Sequence, residues 1–199
     1  MLFRSAKAAG VKHIVKLSVI RSVSEITVGR WHAEIDGYLK SAGVPWTILL
    51  PSGFMQNFIE GSAPRPDGNL YLPVGDSKAA FIDVRDVADV AAKALTEPGH
   101  EGKEYSLTGP AAITHDEVAA AISQATGRTI RFVNVPEEAA RQAMSAHMPP
   151  WLVNVILELN TWTRTNGGAQ VTNTLPEVLG RPARTFAEFA KDHAHYWKA

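Results

Sequence analysis

Hydrophobic positions in the first part of the chain alternate between helical and extended spacing. Apolar residues that recur every three or four positions predict helices, and short unbroken apolar runs predict strands. The order is a helix over 2–9, a strand over 13–18, a helix over 30–42 and a strand over 46–50. The second strand is apolar on both faces, which suits a parallel sheet covered by helices on both sides. This alternation of helix and strand indicates an α/β fold.

The second of these helices carries one continuous apolar stripe. Its members are Trp31, Ile35, Tyr38, Leu39 and Ala42. They are spaced so that they fall on one side of an α-helix. We therefore expect this side of the helix to face the core.

The rest of the chain becomes loop-rich and then mostly helical. Further strands are predicted over 69–72, 79–82, 103–107 and 129–135, and further helices over 83–95, over 114–127, from 136 onward, over 150–164 and over 185–196. Two capping boxes, one from Thr114 to Glu117 and one from Thr185 to Glu188, mark helix starts. The pattern divides the chain into a sheet-and-helix region over 1–110 and a mostly helical region over 111–199.

The composition is that of an ordinary globular protein and narrows the function classes. Lys and Arg number 20, as do Asp and Glu, so no net charge draws the chain to nucleic acid or to an anionic membrane. The absence of cysteine excludes disulfides, thiolate catalysis and cysteine-ligated metals. No apolar run approaches the roughly 20 residues that span a bilayer, and no signal-peptide pattern follows Met1. We expect a cytoplasmic protein with no nucleic-acid or membrane partner.

Candidate binding groups follow the strands over 13–18 and 46–50. Ser18 ends the first strand, and Pro51, Ser52, Gly53 and Phe54 end the second. The carboxyl ends of neighbouring parallel strands meet at one edge of a sheet, where open α/β folds bind their ligands. From spacing alone an alternative stays open, in which Ser18 is a turn hydroxyl and the Pro-Ser-Gly segment an ordinary loop.

Two pairs of titratable residues also invite a chemical interpretation. His32 and Asp36 are four positions apart on one helix face. The carboxylate either favours the imidazolium or orients a neutral ring that hydrogen-bonds a ligand. The alternative is a solvated pair. Asp83 and Asp86 look like a catalytic acid pair, but we interpret Asp83 as a helix cap and Asp86 as a first-turn acid that the helix dipole favours. No metal site is expected.

Several segments together resemble one known family. They are 8–15, 43–51, 54–58, 80–88 and 105–110, followed in the tail by 180–182 and 185–189. In this order and at this spacing they resemble the NmrA-like branch of the atypical short-chain dehydrogenase/reductases. Such proteins hold NADP or NAD on a Rossmann sheet, with the pyrophosphate on a glycine-rich loop after the first strand.

The resemblance implies a fold and leaves two functions open. It implies an α/β protein in which residues 1–110 form a partial NAD(P)-binding region, the C-terminal part of a Rossmann-like parallel sheet. Residues 111–199 are then a mostly helical appendage on the substrate side. Family members reduce quinones, azo compounds or similar small electrophiles, or sense the dinucleotide without turnover. The sequence contains no G-x-G-x-x-G or G-x-x-G-x-x-G motif. The resemblance therefore implies that about eighty residues precede Met1. A third hypothesis follows, in which the chain as given binds no dinucleotide.

The resemblance also selects the site residues. Where many short-chain dehydrogenases carry Tyr-x-x-x-Lys, this chain has Val28 at the tyrosine position and His32 at the lysine position. It implies that His32 is catalytic. The cofactor-binding residues that it implies are Ser18, His32, Pro51, Ser52 and Phe54. The resemblance implies a small-molecule substrate as the partner and allows a homo-oligomer.

Overall fold

Short apolar runs and amphipathic helices alternate through the chain in the computed structural model, which describes residues 2–20, 25–165 and 167–198. The helices are α1 Leu2–Ala8, α2 Thr27–Ser41, α3 Val84–Thr96, α4 His115–Thr126, α5 Glu137–Ser145, α6 Pro150–Arg164, α7 Thr174–Leu179 and α8 Phe186–Asp192. The strands are β1 Ile14–Leu17, β2 Trp46–Pro51, β3 Asn69–Leu72, β4 Lys78–Ala79, β5 Lys103–Leu107, β6 Ile113–Thr114 and β7 Arg131–Asn134. Within these ranges, 3₁₀ turns lie at Met55–Phe58 and Ala194–Trp197.

A three-stranded parallel sheet in the order β1-β2-β5 positions the candidate site. Side chains of the central strand β2 alternate between its faces, as the pleat requires. Ile48 and Leu50 pack with Leu39 of α2 on one face, whereas Leu49 packs with Val90 of α3 on the other. The predicted α/β fold with a Rossmann-like parallel sheet covered on both sides is confirmed.

The apolar stripe of α2 does not face the core as expected. Leu39 is fully buried, but Trp31, Ile35 and Tyr38 are 47%, 46% and 38% exposed. Leu39 and Ala42, at the carboxyl-terminal end of the helix, pack in the apolar cluster on the sheet, and the Tyr38 ring contacts Phe3 of the same cluster. The prediction was wrong for Trp31 and Ile35 and only partly correct for Tyr38, because periodicity identifies an apolar face without identifying what covers it.

A second apolar cluster joins the middle of the chain to its end. Its fully buried members include Phe58, Leu70, Val118, Ile122 and Phe189. Strand β3 pairs in parallel with β7, and β4 pairs antiparallel with β6. The indole nitrogen of Trp197 donates to the Phe58 carbonyl at 2.9 Å. The segment between β2 and α3 therefore packs against α4 and α8. The division of the chain at residue 110 stays a prediction.

Local capping chemistry is confirmed where short-range signals predicted it. Thr114 and Thr185 each form a complete capping box, and Gly127 ends α4 in the left-handed conformation at φ 74°.

Two of the predicted elements are shorter in the structure. The strand over 79–82 reduces to β4 plus a single bridge between Phe54 and Ile82. The last helix ends at Asp192, before the final 3₁₀ turn. Within the described ranges no helix has both the length and the apolarity to cross a membrane.

Candidate functional site

Asp36 is a buried carboxylate that organises the edge of the sheet at the carboxyl end of β1. Its Oδ2 accepts a hydrogen bond from Ser18 Oγ at 2.7 Å, and its Oδ1 lies 2.7 Å from the Lys16 Nζ that donates to it. Lys16 and Ser18 are two residues apart on an extended segment, so both side chains reach the same face. Asp36 is only 1% exposed. It is therefore the fixed anion between β1 and α2, and the alternative of a solvated pair is wrong for it.

Lys16 also fixes the protonation pattern of His32. The Lys16 Nζ lies 3.4 Å from His32 Nδ1. Because an ammonium has donors and no acceptor, Nδ1 must accept, and the ring proton of neutral His32 resides on Nε2. Burial lowers the pKa of His32, the charge of Lys16 lowers this pKa further, and the charge of Asp36 opposes both. The result is a neutral imidazole with an Nε2–H donor.

Lys16 was missed by the sequence interpretation. The resemblance placed His32 at the position of a lysine, and the structure supplies an ammonium to the same place from β1 instead. The available signal was a charged residue inside the otherwise apolar strand Ile14–Leu17, two positions before Ser18. A lysine within such a strand needs a partner, and the partner is the buried Asp36.

The ends of β1 and β2 meet at one edge, as predicted from their parallel pairing. The amide of Ser18 donates to the Leu49 carbonyl at 2.7 Å, and the amide of Ile20 donates to the Pro51 carbonyl at 3.0 Å. Ser18 and Pro51, two of the predicted cofactor-binding residues, therefore lie at the same rim. Their contact with a cofactor stays a prediction.

Ser52 is held by two other segments, the end of β5 and the residue that follows β4. Its amide donates to the Leu107 carbonyl at 2.9 Å, and its hydroxyl donates to the Ala80 carbonyl at 2.5 Å. The hydroxyl proton is thus engaged within the protein, and only the lone pairs of the oxygen remain to meet a ligand. The predicted role of Ser52 in cofactor binding is untested by this geometry.

Gly53 and Phe54 follow Ser52 at the end of β2. Phe54 is half-buried and packs on the cluster around Leu49 and Ile82. A Cβ on Gly53 would lie 3.3 Å from a ring carbon of Phe81, so a side chain here would crowd that ring. The backbone of Gly53 is exposed and bare at the rim. Because Gly53 has no side chain, a ligand can approach its backbone closely.

The acidic pair at the start of α3 is structural, as the sequence indicated. Asp83 is fully buried, caps the helix by accepting from the Arg85 amide, and also accepts from Gln56 Nε2 at 2.9 Å. Burial alone would raise the pKa of Asp83, but the hydrogen bonds from Arg85 and Gln56 hold it below its usual value. Asp86 is occupied by the guanidinium groups of Arg181 and Arg184. Neither acid takes part in the His32 site.

Comparisons with known proteins identify the family of this chain. The NmrA-like family model matches residues 1–190. NAD(P)H azoreductase of Xenophilus azovorans is 45% identical over 197 residues, covering 97% of this chain and 69% of that protein. The (4-alkanoyl-5-oxo-2,5-dihydrofuran-3-yl)methyl phosphate reductase of Streptomyces griseus is 39% identical over 194 residues, with 96% of this chain and 69% of that protein covered.

A solved structure supports the same assignment. The NADPH-dependent quinone oxidoreductase of Escherichia coli, in complex with NADPH, superposes with a TM-score of 0.85 at 28% identity. The superposition covers 96% of this chain and 69% of that one. Sequence, family model and fold therefore agree, and the chain belongs to the NmrA-like family.

Proposed function

We propose that the chain is an NAD(P)H-dependent oxidoreductase that reduces planar electrophiles of the quinone or azo type. The observation that carries the proposal is the neutral His32, whose Nδ1 is engaged by Lys16 of β1 next to the buried pair of Ser18 and Asp36. The identity of 45% with an azoreductase along nearly the whole chain supports the same reaction class.

The residues at this rim fit the nicotinamide and ribose half of a dinucleotide. They offer a hydrogen-bond donor on His32, an acceptor oxygen on Ser18 and the exposed backbone of Gly53 beside Phe54. When bound, the nicotinamide ring supplies the hydride. The sequence has no glycine-rich motif for the pyrophosphate, and no residue of this chain is assigned to that group.

His32 acts in this proposal as a hydrogen-bond donor rather than as an acid. Loss of the Nε2 proton from a neutral imidazole is unfavourable, so Nε2–H stabilises negative charge on the acceptor or binds a ribose hydroxyl. Val28 stands where related enzymes have a tyrosine and has no proton to give. The proton that completes reduction of the acceptor therefore comes from water.

The absence of that tyrosine also favours a second candidate, a dinucleotide-sensing protein without turnover. An assay of NADPH and NADH oxidation against a panel of quinones and azo dyes separates the two candidates. Steady consumption of the reduced cofactor in the presence of an acceptor supports the oxidoreductase. Binding of the cofactor with no consumption above the protein-free rate supports the sensor and contradicts the first proposal.

The partner in this proposal is a small-molecule acceptor. A homo-oligomer and a cytoplasmic location stay predictions. The exposed apolar positions Ile35 and Tyr38 on α2 support association between copies, because large exposed apolar side chains side by side favour burial. Gel filtration with light scattering measures the mass of the particle in solution and so tests this association.

A further inference from the structure

The carboxylate of Asp36 lies between the strand and the helix that meet at His32. Its Oδ2 accepts from Ser18 Oγ and its Oδ1 accepts from Lys16 Nζ, each at 2.7 Å. Asp36 and Ser18 are only 1% and 3% exposed. A buried carboxylate that is bonded through both oxygens has little freedom to turn, so Asp36 gives β1 and α2 a fixed negative charge in common.

The ammonium of Lys16 uses its donors within the protein. Its Nζ lies 2.7 Å from Asp36 Oδ1, 3.4 Å from His32 Nδ1 and 3.4 Å from the Leu17 carbonyl oxygen. An ammonium has three N–H groups, and these three acceptors match them in number. The bond to Asp36 is the shortest and joins opposite charges, so it is the strongest and decides where the ammonium lies.

Lys16 therefore depends on Asp36 for its place beside His32. The lysine side chain is only 13% exposed, and an ammonium in such surroundings is costly unless an anion accompanies it. Its other two contacts are with neutral groups and are long for hydrogen bonds. Loss of the Asp36 charge is expected to release the ammonium from His32 Nδ1, either toward solvent or by loss of its proton.

We infer that Asp36 is a positioning residue for the reaction at His32, because it holds the ammonium of Lys16 against Nδ1. The inference rests on the proposed function and deepens it by adding a residue that acts through Lys16 rather than by contact with a ligand. A donor at Nδ1 orients the ring and polarises it, which makes Nε2–H a stronger hydrogen-bond donor. Stabilisation of charge on the acceptor thus depends on Asp36.

Nuclear magnetic resonance titration of His32 tests the inference without cofactor or acceptor. The two variants are Asp36→Asn alone and Asp36→Asn combined with Lys16→Met. Among the described residues, Lys16 and Asp36 are the charged groups that act on the His32 ring. If Asp36 holds the ammonium, its loss removes both charges from the ring, and the two variants are expected to share one His32 pKa.

A different titration result overturns the inference. If the ammonium stays at Nδ1 without Asp36, its charge still acts on the ring in Asp36→Asn and is absent from the double variant. The pKa of His32 is then lower in Asp36→Asn than in the double variant.

Turnover of NADPH with 1,4-naphthoquinone gives the second measurement. Asp36→Asn and Lys16→Met are each expected to lower kcat by about ten-fold, with a smaller change in KM, as loss of one hydrogen bond from a charged donor implies. Because Asp36 acts through Lys16, the double variant is expected to keep the kcat of Lys16→Met. A further loss of about ten-fold in the double variant overturns the inference.

This comparison holds even where Asp36→Asn alone does not fold. The double variant removes both charges together, so no unpaired ion is left in the interior. Its kcat is compared with that of Lys16→Met, and Asp36→Asn is not needed.

Asp86→Asn is the matched control for the loss of a buried carboxylate. Asp86 is fully buried and is bound by Arg181 and Arg184, but it lies on α3 and takes no part in the His32 site. The variant is expected to lower the free energy of unfolding and to leave the His32 pKa and kcat at their native values. Equal changes in Asp86→Asn and Asp36→Asn trace to general destabilisation and overturn the inference.

The proposed function fails by a different result. If no quinone or azo dye supports oxidation of NADPH or NADH, the oxidoreductase is contradicted, whereas one shared His32 pKa in the two Asp36 variants still shows that Asp36 holds Lys16 at the ring. Oxidation by the native chain, with losses that multiply in the double variant, contradicts the role of Asp36 and leaves the oxidoreductase standing.

Discussion

At the scale of single residues, the account depends on the neutral state of His32. Burial and the charge of Lys16 lower its pKa, so the ring stays neutral down to a pH below the usual imidazole value of 6.5. Lys16→Met removes one of the two lowering causes and leaves the opposing charge of Asp36, so the pKa of His32 is expected to rise. Nuclear magnetic resonance titration of the imidazole measures this rise directly.

Lys16→Arg is the control for that titration because it keeps the positive charge. The pKa of His32 is expected to remain near its native value in this variant. A pKa that is unchanged in Lys16→Met shows that the Lys16 charge does not act on His32. Nitrogen-15 shifts that place the ring proton on Nδ1 likewise contradict the proposed donor role.

His115 gives a second prediction at this scale, for stability rather than activity. Its ring is buried among Phe58, Phe81 and Phe132, its Nδ1 has no hydrogen-bond partner among the described residues, and burial lowers its pKa to about 4. Above pH 6.5 the ring is neutral folded and unfolded. As pH falls from 6.5 to 4 the unfolded chain binds the proton first, and the free energy of unfolding falls by about 3 kcal/mol.

His115→Phe is expected to remove this dependence and to match the surrounding rings in shape. Urea unfolding of the native chain and the variant across this pH range measures the difference in free energy of unfolding between them. The exposed His195→Phe is the control and is expected to change nothing. A difference for His115→Phe that stays constant from pH 6.5 to pH 4 refutes the assignment.

At the scale of elements, Asp86 ties the tail of the chain to α3. Its buried carboxylate accepts from Arg181 Nη2 and from the backbone amide of Arg184, each at 2.8 Å. Asp86→Asn keeps the shape but loses the charge, and is expected to lower the free energy of unfolding by about 2 kcal/mol. Asp89→Asn, at a half-exposed carboxylate bound by the same arginines, is expected to cost less than about 1 kcal/mol. Equal losses in urea unfolding contradict the role given to burial.

The elements also show which features of the structure could be predicted from the sequence. Caps such as Asp83 and Thr114 were predictable because the signal and its partner lie within three residues. The Lys16–Asp36 pair was not, because it joins a strand to a helix across 20 positions and no local pattern connects them. Helix α7 was also missed, since six residues are too few to display a period.

The same limit explains the error at α2. The spacing of Trp31, Ile35 and Tyr38 correctly indicated one apolar face. Whether that face meets the core, a ligand or another molecule depends on the tertiary arrangement, which places α6 rather than the sheet beside Trp31. A stripe that folding does not bury is therefore a better indicator of a binding surface than of a core.

At the scale of the whole molecule, the proposal assigns the site residues of this chain to the nicotinamide side of a dinucleotide. Reduced nicotinamide mononucleotide carries that side alone. We expect NADPH, NADH and the mononucleotide to bind this chain with dissociation constants within about ten-fold of one another. Calorimetric titration measures all three. If the chain binds NADPH about a hundred-fold more tightly than the mononucleotide, it also binds the adenosine and phosphate half, contrary to this expectation.

The central claim is hydride transfer at the His32 rim. The most direct test is the rate at which reduced nicotinamide is oxidised in the presence of 1,4-naphthoquinone, with hydrogen or deuterium at the transferred position. The account predicts oxidation that slows with deuterium, and a rate lower by about a hundred-fold in His32→Ala, as loss of a charge-stabilising donor implies. Tyr196→Ala is expected to match the native rate. Absence of oxidation above the protein-free rate, or an identical rate in His32→Ala, would contradict the account.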